Sequence, residues 1–209
     1  MSSELVALSK RLSWLLRHGA NEAGLAMDEA GWSEVDEVLA VLAVTRTELD
    51  LAVSQNDKGR LIVAGSRIRA CQGHSLEGMP VTREALEASW EVFHPDGPLW
   101  HGTRVAAIES IASQGIVAGQ RSHVHLAAAV DSHVGKRSNV DFLVEVSPAR
   151  LRDAGIGIFL APNGVVLARR VPAEAITGLR PTSRAGRQGE YHALRLLGLV
   201  PDSQGTGSE

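Results

Sequence analysis

Leu5, Leu8, Leu12, Leu15 and Leu16 recur at helical spacing and predict an amphipathic helix over residues 5–16. Arg17 and His18 stand at its end, where Gly19 can stop it. The stretch GLAMDEAGW is rich in turn formers, and after it Ser33 is placed to cap a short helix running to Leu42. Thr45 with Glu48 three residues on is a capping-box pair ahead of a third helix. GRLIV and RIRAC flank a short AGS turn and predict a β-hairpin, with Arg67 and Arg69 on one face of its second strand. Three short helices and a hairpin outline a winged-helix lobe over residues 1–80.

Residues 81–97 read as a connector, carrying Pro95 and Gly97 beyond a short helical piece, TREALEASW. The texture then changes. LWHGT reads as a strand end, Thr103 can cap a helix to about Ser113, and Gly115 can stop it. HVHLA, a short helix through Gly135-Lys136-Arg137, and the strand DFLVEV follow. A hairpin comes next, IFLAP turning at Asn163-Gly164 into VVLAR. Residues 98–200 thus read as a strand-rich lobe, and 201–209 as a disordered tail. The expected fold class is α+β.

Composition narrows the function. At 209 residues, 44% hydrophobic and 22% charged, the chain reads as ordinary globular protein. No apolar run approaches the ~18 residues of a membrane span, and the N-terminus lacks a secretory pattern. A single cysteine, Cys71, excludes an internal disulfide and a cysteine-rich zinc site. A cytoplasmic monomer is expected. The net charge of −3 argues against a generic polyanion binder. An RNA enzyme of this charge must rely on a few placed cations.

Several segments offer such placement. Adjacent Arg17 and His18 can jointly hold a dianion, although the helix dipole alone also favours cations at that end. Arg67 and Arg69 run into the turn Gln72-Gly73-His74-Ser75, a mixture of donors suited to phosphate; taken in isolation, a solvated strand with a polar turn explains them better. In WHGT, Gly102 admits close backbone approach and Thr103 supplies a hydroxyl, with His101 beside them. His123 and His125 share one face of a strand, but no further ligands complete a zinc set, so no metal is expected. His94, His133 and His192 have no neighbours of chemical interest. Walker, GxGxxG and GxSxG patterns are absent.

In their order, LSKRLSWLLRHGANEAGLAMDEAGW, RIRACQGHS, WHGT, HVHLA with GKR shortly after, and APNGV resemble the RNA 2′-phosphotransferase family, KptA in bacteria and the last enzyme of tRNA splicing in fungi. The resemblance spans about residues 5–180. It implies a winged-helix lobe and a second lobe similar to ADP-ribosyltransferases. It also implies NAD as co-substrate and an RNA bearing a 2′-phosphate as partner. In the implied reaction the 2′-phosphate attacks NAD and releases nicotinamide. Transesterification then yields 2′-hydroxyl RNA and ADP-ribose 1″,2″-cyclic phosphate. Carried over residue by residue, the catalytic positions fall on Arg17, His18, Arg69 and Arg137. His101, Gly102, Thr103, His125, Asn163 and Gly164 would hold the NAD-derived part. Arg67, Gln72, His74 and Ser75 would serve the RNA phosphate. Ala127 departs from the family's usual serine, and the catalytic glutamate of many ADP-ribosyltransferases is missing, as in the family.

Two other readings compete. An ADP-ribosyltransferase acting on nucleic-acid phosphate ends would stop after the first step. A non-enzymatic winged-helix RNA binder should have a basic first lobe; residues 1–95 hold 9 Lys+Arg against 14 Asp+Glu.

Overall fold

The computed structural model describes residues 3–136 and 139–200. The first helix, α1 (Ser3–Trp14), buries the leucine face and continues into a wider π-helical turn, Leu15–Gly19. Gly19 therefore lies inside the turn and does not stop the helix. It is needed for a different reason: the Trp14 ring covers it, and a Cβ there would lie 2.3 Å from Trp14 Cζ3. A π-turn re-aims side chains relative to a continuing α-helix, and here it carries Arg17 and His18.

Next come β1 (Ser33–Glu34), α2 (Val35–Leu42) and α3 (Arg46–Ser54). Ser33 is a buried strand residue paired with Ile68, so it is Glu34, with no side-chain bond, that precedes α2. The capping box of Thr45 and Glu48 forms in both directions. The hairpin of β2 (Leu61–Ala64) and β3 (Arg67–Ala70) completes an antiparallel sheet of order β1-β3-β2. Arg67 and Arg69 do share a face, with their guanidiniums 5.2 and 4.7 Å from the Trp32 ring centre.

The connector is part of the fold. Within it, α4 (Arg83–Ala88) is capped by Thr82, and β4 (Glu91–Val92) pairs with a later strand. Then follow β5 (Leu99–Thr103), a 3₁₀ turn Val105–Ala107, α5 (Ile108–Gln114), β6 (Ile116–Val117), β7 (Val124–Leu126) and β8 (Phe142–Val146). Thr103 pairs with Phe142 as a strand residue; the helix start is instead bound by Asp141, whose Oδ2 accepts from the Val105 N–H. No helix occupies residues 128–136, which form turns and bends, and Arg137 lies outside the described residues. The chain ends in α6 (Pro148–Asp153), β9 (Phe159–Leu160), β10 (Val166–Ala168), β11 (Arg170–Val171), β12 (Ile176–Pro181) and α7 (Arg184–Leu196).

The remaining sheets are β4-β9-β10-β7, β11-β6 and β12-β8-β5, all antiparallel. The fold class is α+β, with small antiparallel sheets and seven α-helices among the described residues. One apolar cluster gathers α1, α2, α3, the first hairpin, Leu86 and Trp90, and reaches Ala161, Val165 and Leu167. A second fills the space between α5, α7 and the β12-β8-β5 sheet. None of the described helices is long and apolar enough to cross a membrane.

The capping box should contribute measurably to stability. Thr45→Ala is expected to cost about 1 kcal/mol in urea unfolding, and an unchanged midpoint would show that α3 does not depend on it.

Candidate active site

A cleft of about 1050 Å³ opens where the π-turn of α1, the loop before β2, β5, β7 and the β9–β10 turn meet. It brings together Arg17, His18, Gln72, Ser75, His101, Gly102, Thr103, His125 and Asn163, predicted sites that lie as far as 146 residues apart in the sequence. Arg67, Arg69, His74 and Gly164 are not on its wall.

The segment after β3 builds the floor. Its backbone is tied to both halves of the chain: the Ser75 N–H donates to Arg17 O at 2.9 Å, and the Ser122 N–H donates to His74 O at 2.8 Å. Gly73 takes φ 90°, a backbone that side-chain-bearing residues adopt only under strain. It lies against both halves of the site, since a Cβ would sit 3.5 Å from Arg17 Nε and from His125 Cε1. His18 Nδ1 and Ser75 Oγ are 2.9 Å apart and hydrogen-bonded. Across the cleft, His101 Nδ1–H donates to His125 O at 3.0 Å, and Arg121 Nη1 lies 3.2 Å from His125 Nδ1. Asn163 Nδ2 donates to Lys58 O and so joins the hairpin turn to the loop before β2.

The wall carries six lysines and arginines (Arg17, Lys58, Arg60, Arg104, Arg121 and Lys136), four histidines, and no aspartate or glutamate among the described residues. In a chain of net charge −3 this segregation makes a local positive field. Burial, with the neighbouring Arg60 and Arg121 acting in the same direction, pulls Arg17 down to about 10. Its Nε and Nη2 are buried without partners, as are Gln72 Oε1, His125 Nε2 and Asn163 Oδ1. Unpaired buried donors and acceptors are costly unless a ligand completes them. Burial also lowers His18, with Arg17 and Arg121 acting in the same direction, so it is neutral at pH 7. An anion with hydroxyl or amide groups would complete this arrangement.

Outside the cleft, Arg67 and Arg69 are bonded elsewhere, while Arg69 Nε and both ring nitrogens of His74 are buried without partners. Arg69 Nη1 donates to Ser89 Oγ and Ala30 O, and its Nη2 to Ser89 O. Arg67 pairs with Asp28 at 3.5 Å on the surface. His74 is fully buried, and burial holds it neutral at about 3. Cys71 is buried as well; its thiol donates to Gly59 O, and burial pushes it up to about 11. His123 is bound to Glu87 Oε1 at 2.9 Å, and Glu87 is bound in turn to Arg169. No cluster among the described residues could hold a metal ion. Sequence reading passed over Lys58, Arg60, Arg104 and Arg121, and took Lys136 only as part of a motif. The available signal was the pair Lys58 and Arg60 around Gly59 at the mouth of the predicted hairpin.

The profile of the RNA 2′-phosphotransferase, Tpt1 / KptA family matches residues 3–170. The chain is 37% identical over 186 residues to a probable RNA 2′-phosphotransferase of Burkholderia lata, covering 85% of this chain and 92% of that one. A protein of the same description from Pseudomonas syringae pv. tomato is 38% identical over 184 residues, covering 84% and 95%. Another from Rhizobium johnstonii is 34% identical over 177 residues, covering 81% and 92%.

His74 makes stability depend on pH. Its folded value of about 3 lies below the ordinary 6.5, so the unfolded chain binds the extra proton between them. The contribution is complete above pH 6.5 and declines as pH falls towards 3. Denaturant unfolding at pH 5 should show a loss of about 2 kcal/mol from this residue relative to pH 7. A His74→Phe variant should flatten the dependence, and equal stability of the unmodified protein at both pH values would contradict the assignment.

Proposed function

Because this chain belongs to the RNA 2′-phosphotransferase, Tpt1 / KptA family, we propose that its cleft transfers an RNA 2′-phosphate to NAD. The observation that carries this reading is the wall itself: six cations, no carboxylate, and an arginine whose buried donors lack partners.

The chemistry fits these groups. A phosphate monoester has a second pKa near 6 and is largely dianionic at neutral pH, so it attacks without a carboxylate base. Orientation and charge neutralisation are what it requires. A phosphate oxygen bonds to the ribose carbon that carries nicotinamide, and the carbon–nitrogen bond breaks to release nicotinamide. The ribose 2″-hydroxyl then attacks the same phosphorus, and the bond from phosphorus to the RNA 2′-oxygen breaks. The hydroxyl proton ends on that oxygen. His18, neutral at pH 7 and held by Ser75, is suited to carry it.

Arg17 serves the phosphate in this scheme, and Arg60 is its natural companion because it lies on the same wall and lowers Arg17. Arg69 retains a structural role through Ala30 and Ser89. Arg137 stands as a catalytic position on the resemblance alone. His101, Gly102, Thr103 and Asn163 line the part of the cleft assigned to NAD. Residues 1–80 form the RNA lobe in this reading, and 98–200 the NAD lobe.

A short RNA with one internal 2′-phosphate should lose it only when NAD is added, with or without chelator. Arg17→Ala and Arg60→Ala should each lower the rate at least about 100-fold, the scale for removing a charge-stabilising donor. Arg69→Ala should reduce stability more than turnover. The acid limb governed by His18 should lie below the ordinary 6.5. A persistent RNA–ADP-ribose adduct would point to a transferase that stops after the first step, and RNA binding with no turnover would overturn the proposal.

A further inference from the structure

Arg121 is absent from every motif singled out in the sequence, yet it touches the site from two directions. Its backbone forms an isolated antiparallel bridge with Ser75, the residue that holds His18. Its guanidinium reaches His125, with Nη1 3.2 Å from Nδ1. A guanidinium has donors only, so Nδ1 must accept and cannot carry a proton. A neutral imidazole has one N–H, which is therefore on Nε2. That atom is buried and lacks a partner. Protonation of Nδ1 would set an N–H against the arginine and add a third positive charge beside Arg17 and Arg121. No carboxylate is among the groups that act on the ring; the others are His101 and His123.

We propose that Arg121 is a positioning residue that locks His125 as the neutral Nε2–H tautomer, making His125 a fixed hydrogen-bond donor to an oxygen of the bound substrate. The inference rests on reading the cleft as the phosphotransfer site. It separates two of the four cleft histidines by role: His18 moves protons, and His125 only donates a hydrogen bond. Burial, Arg121 and Arg17 all keep His125 uncharged, at about 3, so it stays in one state across the working range. A ribose hydroxyl oxygen or a phosphate oxygen would fill the missing acceptor position.

The test is nitrogen-15 NMR of the full chain with labelled histidine from pH 5 to 8, the His125 signal being assigned with His125→Gln. The expected result is a single Nε2–H tautomer that does not titrate. In Arg121→Ala the signal should become a tautomer mixture, and kcat/KM should fall about 10- to 100-fold, the scale of losing one hydrogen bond to a charged group. Arg121→Lys, which keeps a donor, should restore the tautomer in part, and it serves as the readout if the alanine variant does not fold. A proton on Nδ1, titration of His125 in the unmodified protein, or an unchanged tautomer in both variants would overturn the proposal. The spectra need no turnover, so a protein that proves inactive on 2′-phosphorylated RNA would sink the phosphotransfer reading while the tautomer result stands or falls separately.

Discussion

Between Cys71 and Ser75 the main chain is hydrogen-bonded to four separate parts of the molecule, the first through the Cys71 N–H, which donates to Arg60 O. The Trp90 indole donates to Cys71 O, the Ser122 N–H donates to His74 O, and the Ser75 N–H donates to Arg17 O. Buried backbone groups must find partners, and here each finds one on a different element. The strap therefore fixes the end of α1, the approach to β7 and the residue after α4 relative to one another. It is what sets Arg17 and His18 against Arg121 and His125. Reacting groups displaced by an ångström lose much of their advantage, so the precision of the site depends on this short segment.

A second constraint is electrostatic. Grouping six cations on one wall is unfavourable, and Arg17, lowered chiefly by burial, is lowered also by Arg60 and Arg121. The fold does know how to pair a cation: Arg169 bonds Glu84 and both oxygens of Glu87, which also binds His123. That network ties α4 to the strand region around β10 and leaves nothing over for a ligand. Among the cleft cations Arg60 meets Asp57 at 3.8 Å, whereas Arg17 Nε and Nη2 are buried without a partner. Phosphotransfer in the scheme proposed above brings an anion and needs no carboxylate base beside it.

The local signals in the sequence carried through wherever the determining contacts are themselves local. The leucine face of α1, the Thr45–Glu48 capping box, the first hairpin and the Asn163-Gly164 turn all follow from residues a few positions apart. Ser33 and Thr103 read as caps because their immediate neighbours allowed it. They became strand residues because Ile68 and Phe142, each more than thirty positions away, pair with them.

The sequence by itself determined the α+β class, the first helix, the capping box and the two hairpins and, through its ordered motifs, the family. Short patterns also name Arg17, His18, His101 and His125, which the fold brings to one cleft. Only the tertiary structure decided which cations share the cleft. Arg60 and Arg121 lie on its wall while Arg69 and His74 turn into the protein, although all four sit in similarly polar surroundings along the chain. The reason is physical. A side chain's charge environment is set by groups within a few ångströms in space, and here those groups come from segments up to a hundred residues apart.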